Sequence, residues 1–199
     1  MGLKAGYGYS IWTMKDNDPA KGSGFHGGLY VQAPVTEAVT FQPELLYVPR
    51  GVKESVQRTT STWENGSMTT VREEGEAKIK TAYMELPLLI GLSLGQRLRV
   101  HVGPVLAWRT SYTYTQEFIR TTTVNGSTST QAFHIESNDD SNLKALDYDV
   151  AVGLYYEDKS GLNIGARYVH GLASMAFKSP QPIKYNGVQI SAGITFGGR

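Results

Sequence analysis

The residues from which hydrolytic or acyl-transfer chemistry could be assembled are few. The chain has four histidines, His26, His101, His134 and His170, and a serine activated by histidine and an acid is the arrangement that attacks a lipid ester. Ser23 lies just before His26, and Ser174 follows His170 by four residues. Neither pair sits in a recognisable nucleophile motif, and neither spacing brings the two side chains together by itself. His26 and His170 therefore read as rim or loop residues facing water, and no catalytic residue is assigned. Asp139 and Asp140, flanked by Asn138 and Ser141, make a polar loop without the ligand spacing a hard cation requires. No metal and no cofactor is expected.

A second group of ionisable residues says more. Lys4, Glu44, Glu85, Arg99, His101, Asp147, Asp149 and Arg167 each interrupt a segment that is otherwise apolar on alternate positions. Glu44 alternates with Pro43 and Leu45, Glu85 with Met84 and Leu86, Arg99 with Leu98 and Val100, Arg167 with Ala166 and Tyr168. Side chains alternate across a strand with period two, so the charges and the apolar residues occupy opposite faces. Acids and bases in near balance, shut away from water, must pair or be hydrogen-bonded. These eight residues, with Tyr30, Gln42 and Tyr155, are the expected interior network, either a structural plug or a gated path for protons or ions.

The elements that must position them are strands. Val188–Phe196 places Val188, Ile190, Ala192, Ile194 and Phe196 against Gln189, Ser191, Gly193 and Thr195. A soluble antiparallel sheet also alternates, so the period does not decide between core and lipid for the apolar face. The connections decide it. Residues 34–39, 94–98 and 158–162 leave room only for tight turns, whereas residues 13–24, 48–80, 110–144 and 173–187 are long polar stretches. Short turns at one end and long loops at the other are the pattern of an outer-membrane barrel. The expected fold is all-β: one domain spanning residues 1–199, an eight-stranded antiparallel transmembrane β-barrel with periplasmic turns and extracellular loops. Strands are expected at about 2–12, 24–33, 39–58, 78–93, 98–120, 143–156, 162–172 and 187–196, with both termini at the short-turn end.

Composition fits without deciding. No apolar run is long enough for a transmembrane helix, and a mean hydropathy of −0.28 suits a barrel with a polar interior and large loops. There is no cysteine and the formal net charge is +1, which recommends no nucleic-acid partner. Met1-Gly2 leads directly into the first strand, so the expectation is a chain whose secretion signal has been removed. Asn65-Gly66 and Asn125-Gly126 sit midway in two long loops, and Asn-Gly favours a two-residue type I′ turn. Those loops are expected to continue as hairpins, which accounts for both Asn-Gly-Ser sequons without glycosylation.

Aromatic residues mark two belts. Trp12, Tyr47, Trp108, Tyr148 and Tyr168 fall toward the loop-bearing strand ends, and Phe41, Tyr156 and Phe196 toward the short-turn ends, where amphipathic rings meet the lipid–water boundaries. Trp63, Tyr112 and Tyr114 lie on the outer extensions and are a candidate surface-binding set for a carbohydrate.

Phe41-Gln42-Pro43-Glu44-Leu45-Leu46-Tyr47 and Tyr83-Met84-Glu85-Leu86-Pro87-Leu88-Leu89 resemble two strands of the PorT-like outer-membrane β-barrel family of Bacteroidetes. Val102-Gly103-Pro104, Gly165-Ala166-Arg167-Tyr168 with Gly171-Leu172, and the last strand are similar to later family strands. Phe196 is followed by Gly197-Gly198-Arg199, where the family usually ends on or beside an aromatic. The resemblance implies a small barrel in the bacterial outer membrane and says little about its role. The expected function is non-enzymatic, structural or surface-binding, with outer-membrane lipid, the barrel assembly machinery and a protein or glycan at the loops as partners. The alternatives are a lipid-modifying outer-membrane enzyme and a soluble ligand-carrying barrel.

Overall fold

The computed structural model describes residues 1–13, 18–64, 66–176 and 182–196. The strands are β1 (Gly2–Thr13), β2 (Ala20–Tyr30), β3 (Ala33–Pro34), β4 (Val39–Pro49), β5 (Val52–Glu64), β6 (Ser67–Leu94), β7 (Leu98–Val124), β8 (Ser127–Ser137), β9 (Leu146–Glu157), β10 (Leu162–Gly171) and β11 (Lys184–Thr195). Antiparallel pairing runs β1–β2–β4–β6–β7–β9–β10–β11, and β11 returns to β1 along its whole length. The ring has eight staves and is closed. Closure removes the free edges that an open sheet would present inside a bilayer.

The remaining strands are additions to that ring. β5 continues β4 in the same register against β6, as Pro49↔Ala82 and Val52↔Ile79 show, so the two are one stave interrupted at Arg50-Gly51. β3 adds two residues beside β4, and β8 folds back on the outer half of β7. The long stretches at 48–80 and 110–144, expected to continue as hairpins, are largely strand. β6 and β7 have 28 and 27 residues, far more than the ~10 that a tilted strand needs to span the hydrocarbon. A β-bulge at Ala82/Tyr83 marks where these two strands leave the barrel wall, a usual place for such an irregularity.

Turn chemistry separates the two ends. Gly95 (φ 83°) and Gly161 (φ 85°) serve the tight turns β6–β7 and β9–β10, and Asn125 (φ 47°) with Gly126 (φ 84°) closes β7–β8 as a two-residue turn with both residues left-handed. Gly66 (φ 76°) closes β5–β6, with Asn65 outside the described residues. Met1 and Phe196 meet at the tight-turn end, where the Phe196 amide donates to the Met1 carbonyl at 2.6 Å. The tail Gly197-Gly198-Arg199 also lies outside the described residues.

The two faces of the wall differ as the alternation requires. Ile90, Val102, Val152, Leu154, Ile164 and Ile190 point outward and are exposed, while Leu86, Leu88, Val100, Leu106, Val150 and Ile194 on the same outer face are partly covered by neighbours. Tyr47, Trp108, Tyr148, Tyr168, Tyr156 and Phe196 are outward and exposed, and Phe41 is outward and partly covered. Trp12 departs from expectation. It shares the inward parity of Lys4 and Ser10 and is 3% exposed, so it packs inside the barrel rather than at the lipid boundary. Tyr7, Tyr9 and Phe25 are exposed on the outer face instead, with Tyr7 and Phe25 in an edge-to-face contact at 5.1 Å.

Candidate functional site

The barrel interior is filled by three layers of polar side chains beneath an apolar cap. Lys4, Glu44, Glu85, His101, Asp147, Asp149 and Arg167 are all buried inside, and Arg99 is partly buried near the tight turns. Arg50, which is not in the interior set expected from the sequence, sits among them with no exposure. Its signal was parity: Arg50 lies six residues after Glu44 on the same stave, so it shares the inward face.

The layer nearest the long hairpins is built on Arg50. Its guanidinium donates to Glu85 Oε1 at 2.9 Å, Asp147 Oδ2 at 3.2 Å and Asp149 Oδ2 at 2.5 Å. It also lies over the Tyr185 and Tyr83 rings, 3.9 and 4.7 Å from their centroids. Arginine suits this position because its planar fork serves several carboxylates at once and its faces stack on aromatic rings. The middle layer is built on Glu44, which accepts from Lys4 Nζ at 2.6 Å, Arg167 Nη1 at 2.8 Å and Gln42 Nε2 at 2.6 Å. Arg167 also donates to Gln189 at 2.6 Å and stands 3.7 Å from Glu85 Oε2, so it couples the two layers. In the third layer Arg99 meets Glu157 at 3.1 Å, and Gln32 donates to both Glu157 and Gln42 at 3.0 and 3.1 Å.

Above these layers lies an apolar cluster. Trp12, Val52, Tyr83, Met175 and Tyr185 pack together with Ile79 and Ile183. Met175 belongs to the β10–β11 connection and is pinned across the mouth, its amide donating to the Ile183 carbonyl and its carbonyl accepting from the Lys144 amide. The cluster also takes in Leu89, Val105, Ala151 and Val169 on the inward face of the wall, so apolar side chains flank the charge layers and close the hairpin end, whereas the sequence suggested polarity throughout. At the other end an open vestibule of about 890 Å³ is lined by Gln32, Thr40, Arg99, Glu157 and the tight turns. It leads toward a recess of about 10 Å³ beside His101, Tyr155 and Asn163, the scale of one water molecule. Arg50, Glu85, Tyr83 and Tyr185 are each at most 1% exposed, so the section between the two ends is closed.

The hydrolase pairs are not assembled. His26 is buried on the inward face of β2, while Ser23 is on the outward face and bonds Tyr7 at 2.6 Å. The reading of His26 as a water-facing residue is corrected: its even position on β2 turns it into the barrel. His170 bonds Asn186 at 2.7 Å, and the Ser174 hydroxyl is used by its own loop. His101 stacks on Tyr155 at 4.4 Å, and His134 lies among Glu117 and Glu136 on the outer sheet. Asp140 is taken by Arg109 at 2.8 Å. Among the described residues no group of three or more acids, histidines or cysteines could hold a metal ion.

Beyond the barrel, β5, β6, β7 and β8 form a four-stranded sheet. Val56, Gly75, Phe118 and Phe133 lie in one cross-strand row, with the two phenylalanine rings stacked at 5.0 Å. Gly75 leaves room for Phe118, whose backbone and Cβ lie within 2.7 Å of where a Gly75 side chain would start. Arg120 covers Phe133 at 4.7 Å and pairs with Glu73 at 2.7 Å. Trp63, opposite Met68, is exposed at the sheet's tip, whereas Tyr112, opposite Thr81, and Tyr114, opposite Ile79, are near its base. Met68 and Thr81 are thirteen residues apart on β6, about 43 Å along the strand. The three aromatics do not form one site.

A closed ring of eight staves, lipid-facing outside and plugged inside, defines a transmembrane β-barrel. A profile of the outer membrane protein beta-barrel domain matches residues 1–176, and the chain belongs to that family and to the bacterial outer membrane. Among solved structures the chain is similar to Ail, the attachment invasion locus protein of Yersinia pestis. Identity is 9%, with 97% of this chain and 95% of that one covered and a TM-score of 0.44. It is similar to Neisserial surface protein A at 11% identity, 98% and 96% coverage and a TM-score of 0.44. Acinetobacter baumannii CarO follows at 10% identity, 94% and 95% coverage and a TM-score of 0.37. No curated protein sequence matches the chain.

Proposed function

We propose that the barrel is a plugged, non-enzymatic anchor whose function lies in the sheet it carries outside the membrane, a binding surface at the cell exterior. The carrying observation is that β6 and β7, at 28 and 27 residues, are built out as a continuous sheet while the lumen beneath is closed. A barrel that served only to span would not need strands of about 90 Å. Among the described residues β8 pairs with β7 alone, so its outer edge offers unpaired amides and carbonyls to a protein that adds a further strand. A protein partner is favoured over a glycan because the aromatics suited to stacking a sugar are spread along the sheet. The separation of Ser23 from His26 across the wall supports the absence of a hydrolase. On this reading the hairpins are extracellular, the tight turns periplasmic and the final strand engages the assembly machinery, and the resemblance of the two Pro-containing strands supports a PorT-like barrel.

The test is a variant in which residues 57–74 and 119–132 are each replaced by Asn-Gly. Displayed on cells, the full chain should adhere to host-matrix protein coats and the shortened chain should not, while both keep heat-modifiable gel mobility. Undiminished adhesion by the shortened barrel would overturn the reading. Proteolysis of intact cells, cutting within 57–74 but not within 158–162, checks the sidedness independently.

A further inference from the structure

Lys21, Lys53 and Lys78 stand directly opposite one another on three adjacent strands: Lys21 pairs with Lys53, and Lys53 pairs with Lys78. Cβ atoms at such positions are about 4.5–5.5 Å apart, and like charges directly opposite destabilise a sheet. Lys80, two residues from Lys78 on β6, extends the row on the same outward face. The same sheet uses threonine at many comparable positions, among them Thr113 opposite Lys80 and Thr115 opposite Lys78. Four lysines here are therefore a specific feature of this face. The acids on the same face are Glu76, whose carboxylate is 3.7 Å from Lys53 and half-exposed, Glu117 opposite Glu76, and Glu136 two strands from Lys78. Among the described residues Lys21, Lys78 and Lys80 make no ion pair.

The row has a definite height on the barrel. Outward along β2 the side chains read Leu29, Phe25, Ser23, Lys21; along β4 and β5, Leu45, Tyr47, Pro49, Gly51, Lys53; along β6, Leu86, Met84, Ala82, Lys80, Lys78. Each file passes from apolar or aromatic, through small residues, to lysine. The small residues floor a groove of about 600 Å³ on the outside of the wall, bordered by Tyr47 on the membrane side and by Lys53, Lys78 and Lys80 on the other. From Tyr47 to Lys53 is about 20 Å of strand, or about 15 Å along the membrane normal at the usual barrel tilt. That height lies above the hydrocarbon boundary marked by Tyr47, on the headgroup side, from which long lysine side chains extend their ammonium groups toward lipid phosphates.

We propose that this groove binds the phosphorylated sugar headgroup of a glycolipid in the outer leaflet, with Lys21, Lys53, Lys78 and Lys80 taking its phosphates and Tyr47 packing beneath its sugar. The polyanion offsets the repulsion that the protein leaves uncompensated. The assignment to the outer leaflet rests on the hairpin end facing outward.

The experiment uses the full chain in phosphatidylcholine nanodiscs, titrated with bisphosphorylated lipid A and followed by the thermal midpoint of gel mobility. Phosphatidylglycerol at equal charge and inorganic phosphate are separate arms. For the wild type, lipid A should raise the midpoint at lower mole fraction than phosphatidylglycerol, and inorganic phosphate should do nothing. In the triple variant Lys21→Gln, Lys53→Gln, Lys78→Gln the half-saturating lipid A should rise by at least about tenfold, while the variant is the more stable protein in phosphatidylcholine alone. Lys53→Arg should keep the response. Equal responses of wild type and triple variant, equal potency of phosphatidylglycerol, or a full effect of inorganic phosphate would each overturn the proposal. Lipid A occupies both leaflets of the disc, so the outcome is independent of sidedness and of the adhesion test.

Discussion

Arg50 and Glu85 meet at 2.8 Å across the β4–β6 ladder, both with side chains wholly removed from solvent. The contact lies where β4 passes into β5, and the Arg50 amide still donates to the Thr81 carbonyl at 2.9 Å, so the interruption does not release the stave. One guanidinium thereby gathers carboxylates from β6 and β9 and ties three staves together from within.

Removing Arg50 is expected to be worse than removing any single acid around it. Arg50→Ala leaves Glu85, Asp147 and Asp149 facing one another without their shared cation, and an uncompensated buried charge costs about 3–5 kcal/mol. Glu85→Gln retains size and polarity and should cost less. Urea unfolding in lipid vesicles, followed by Trp fluorescence and gel mobility, measures both. Equal stability of wild type and Arg50→Ala would remove Arg50 from the centre of the network.

The lipid face makes a depth-dependent expectation. Val152 and Leu154 alternate with the inward Ala151 and Tyr155, and arginine near the bilayer midplane destabilises a barrel by about 2–4 kcal/mol. Val152→Arg should fall in that range, while Thr128→Arg on the exposed outer sheet should change stability by less than about 0.5 kcal/mol. A Val152→Arg variant as stable as wild type would mean that this side chain does not face hydrocarbon.

The sequence makes the ring legible because each stave repeats one physical statement, apolar out and polar in, and because tight turns alternate with long connections. It shows Lys4, Glu44, Glu85 and Arg167 as inward for the same reason. Arg50 and Trp12 escape although both lie within the expected strands: Arg50 falls where the strand at 39–58 overlaps the polar stretch at 48–80, and Trp12 ends the strand at 2–12, where an aromatic invites a belt reading; parity with Glu44 and with Lys4 turns both inward. The lysine row could not be read at all from one strand, since Lys21, Lys53 and Lys78 become neighbours only through registers between three strands. The apolar cap depends on Met175, delivered by a connection whose local sequence carries no periodic signal.

The three tryptophans should report three environments. Trp12 is buried in the cap, Trp108 is 41% exposed on the lipid face and Trp63 is 70% exposed at the sheet tip. In single-tryptophan variants with the other two changed to Phe, brominated lipid should quench Trp108 strongly and acrylamide should quench Trp63 strongly. Trp12 should resist both. Strong quenching of Trp12 by brominated lipid would return it to the outer belt.

The closed section between vestibule and cap should stop both ions and reagents. The chain has no cysteine, so a single introduced thiol reports access without interference. Ser93, on the vestibule wall, changed to Cys should react readily with a charged methanethiosulfonate in detergent, whereas Ser10→Cys, at a site 2% exposed inside the wall, should not. The difference follows from the layers between them: a reagent entering by the tight turns meets the Arg99–Glu157 pair, then Lys4, Glu44 and Arg167, before it can reach Ser10 or the Arg50 layer. Planar-bilayer recordings of the wild type should accordingly show no steady ohmic current, because excluding bulk water from paired charges leaves ions no hydrated route. Steady conductance together with rapid labelling of Ser10→Cys would show that the pairs part readily and that the barrel is a pore.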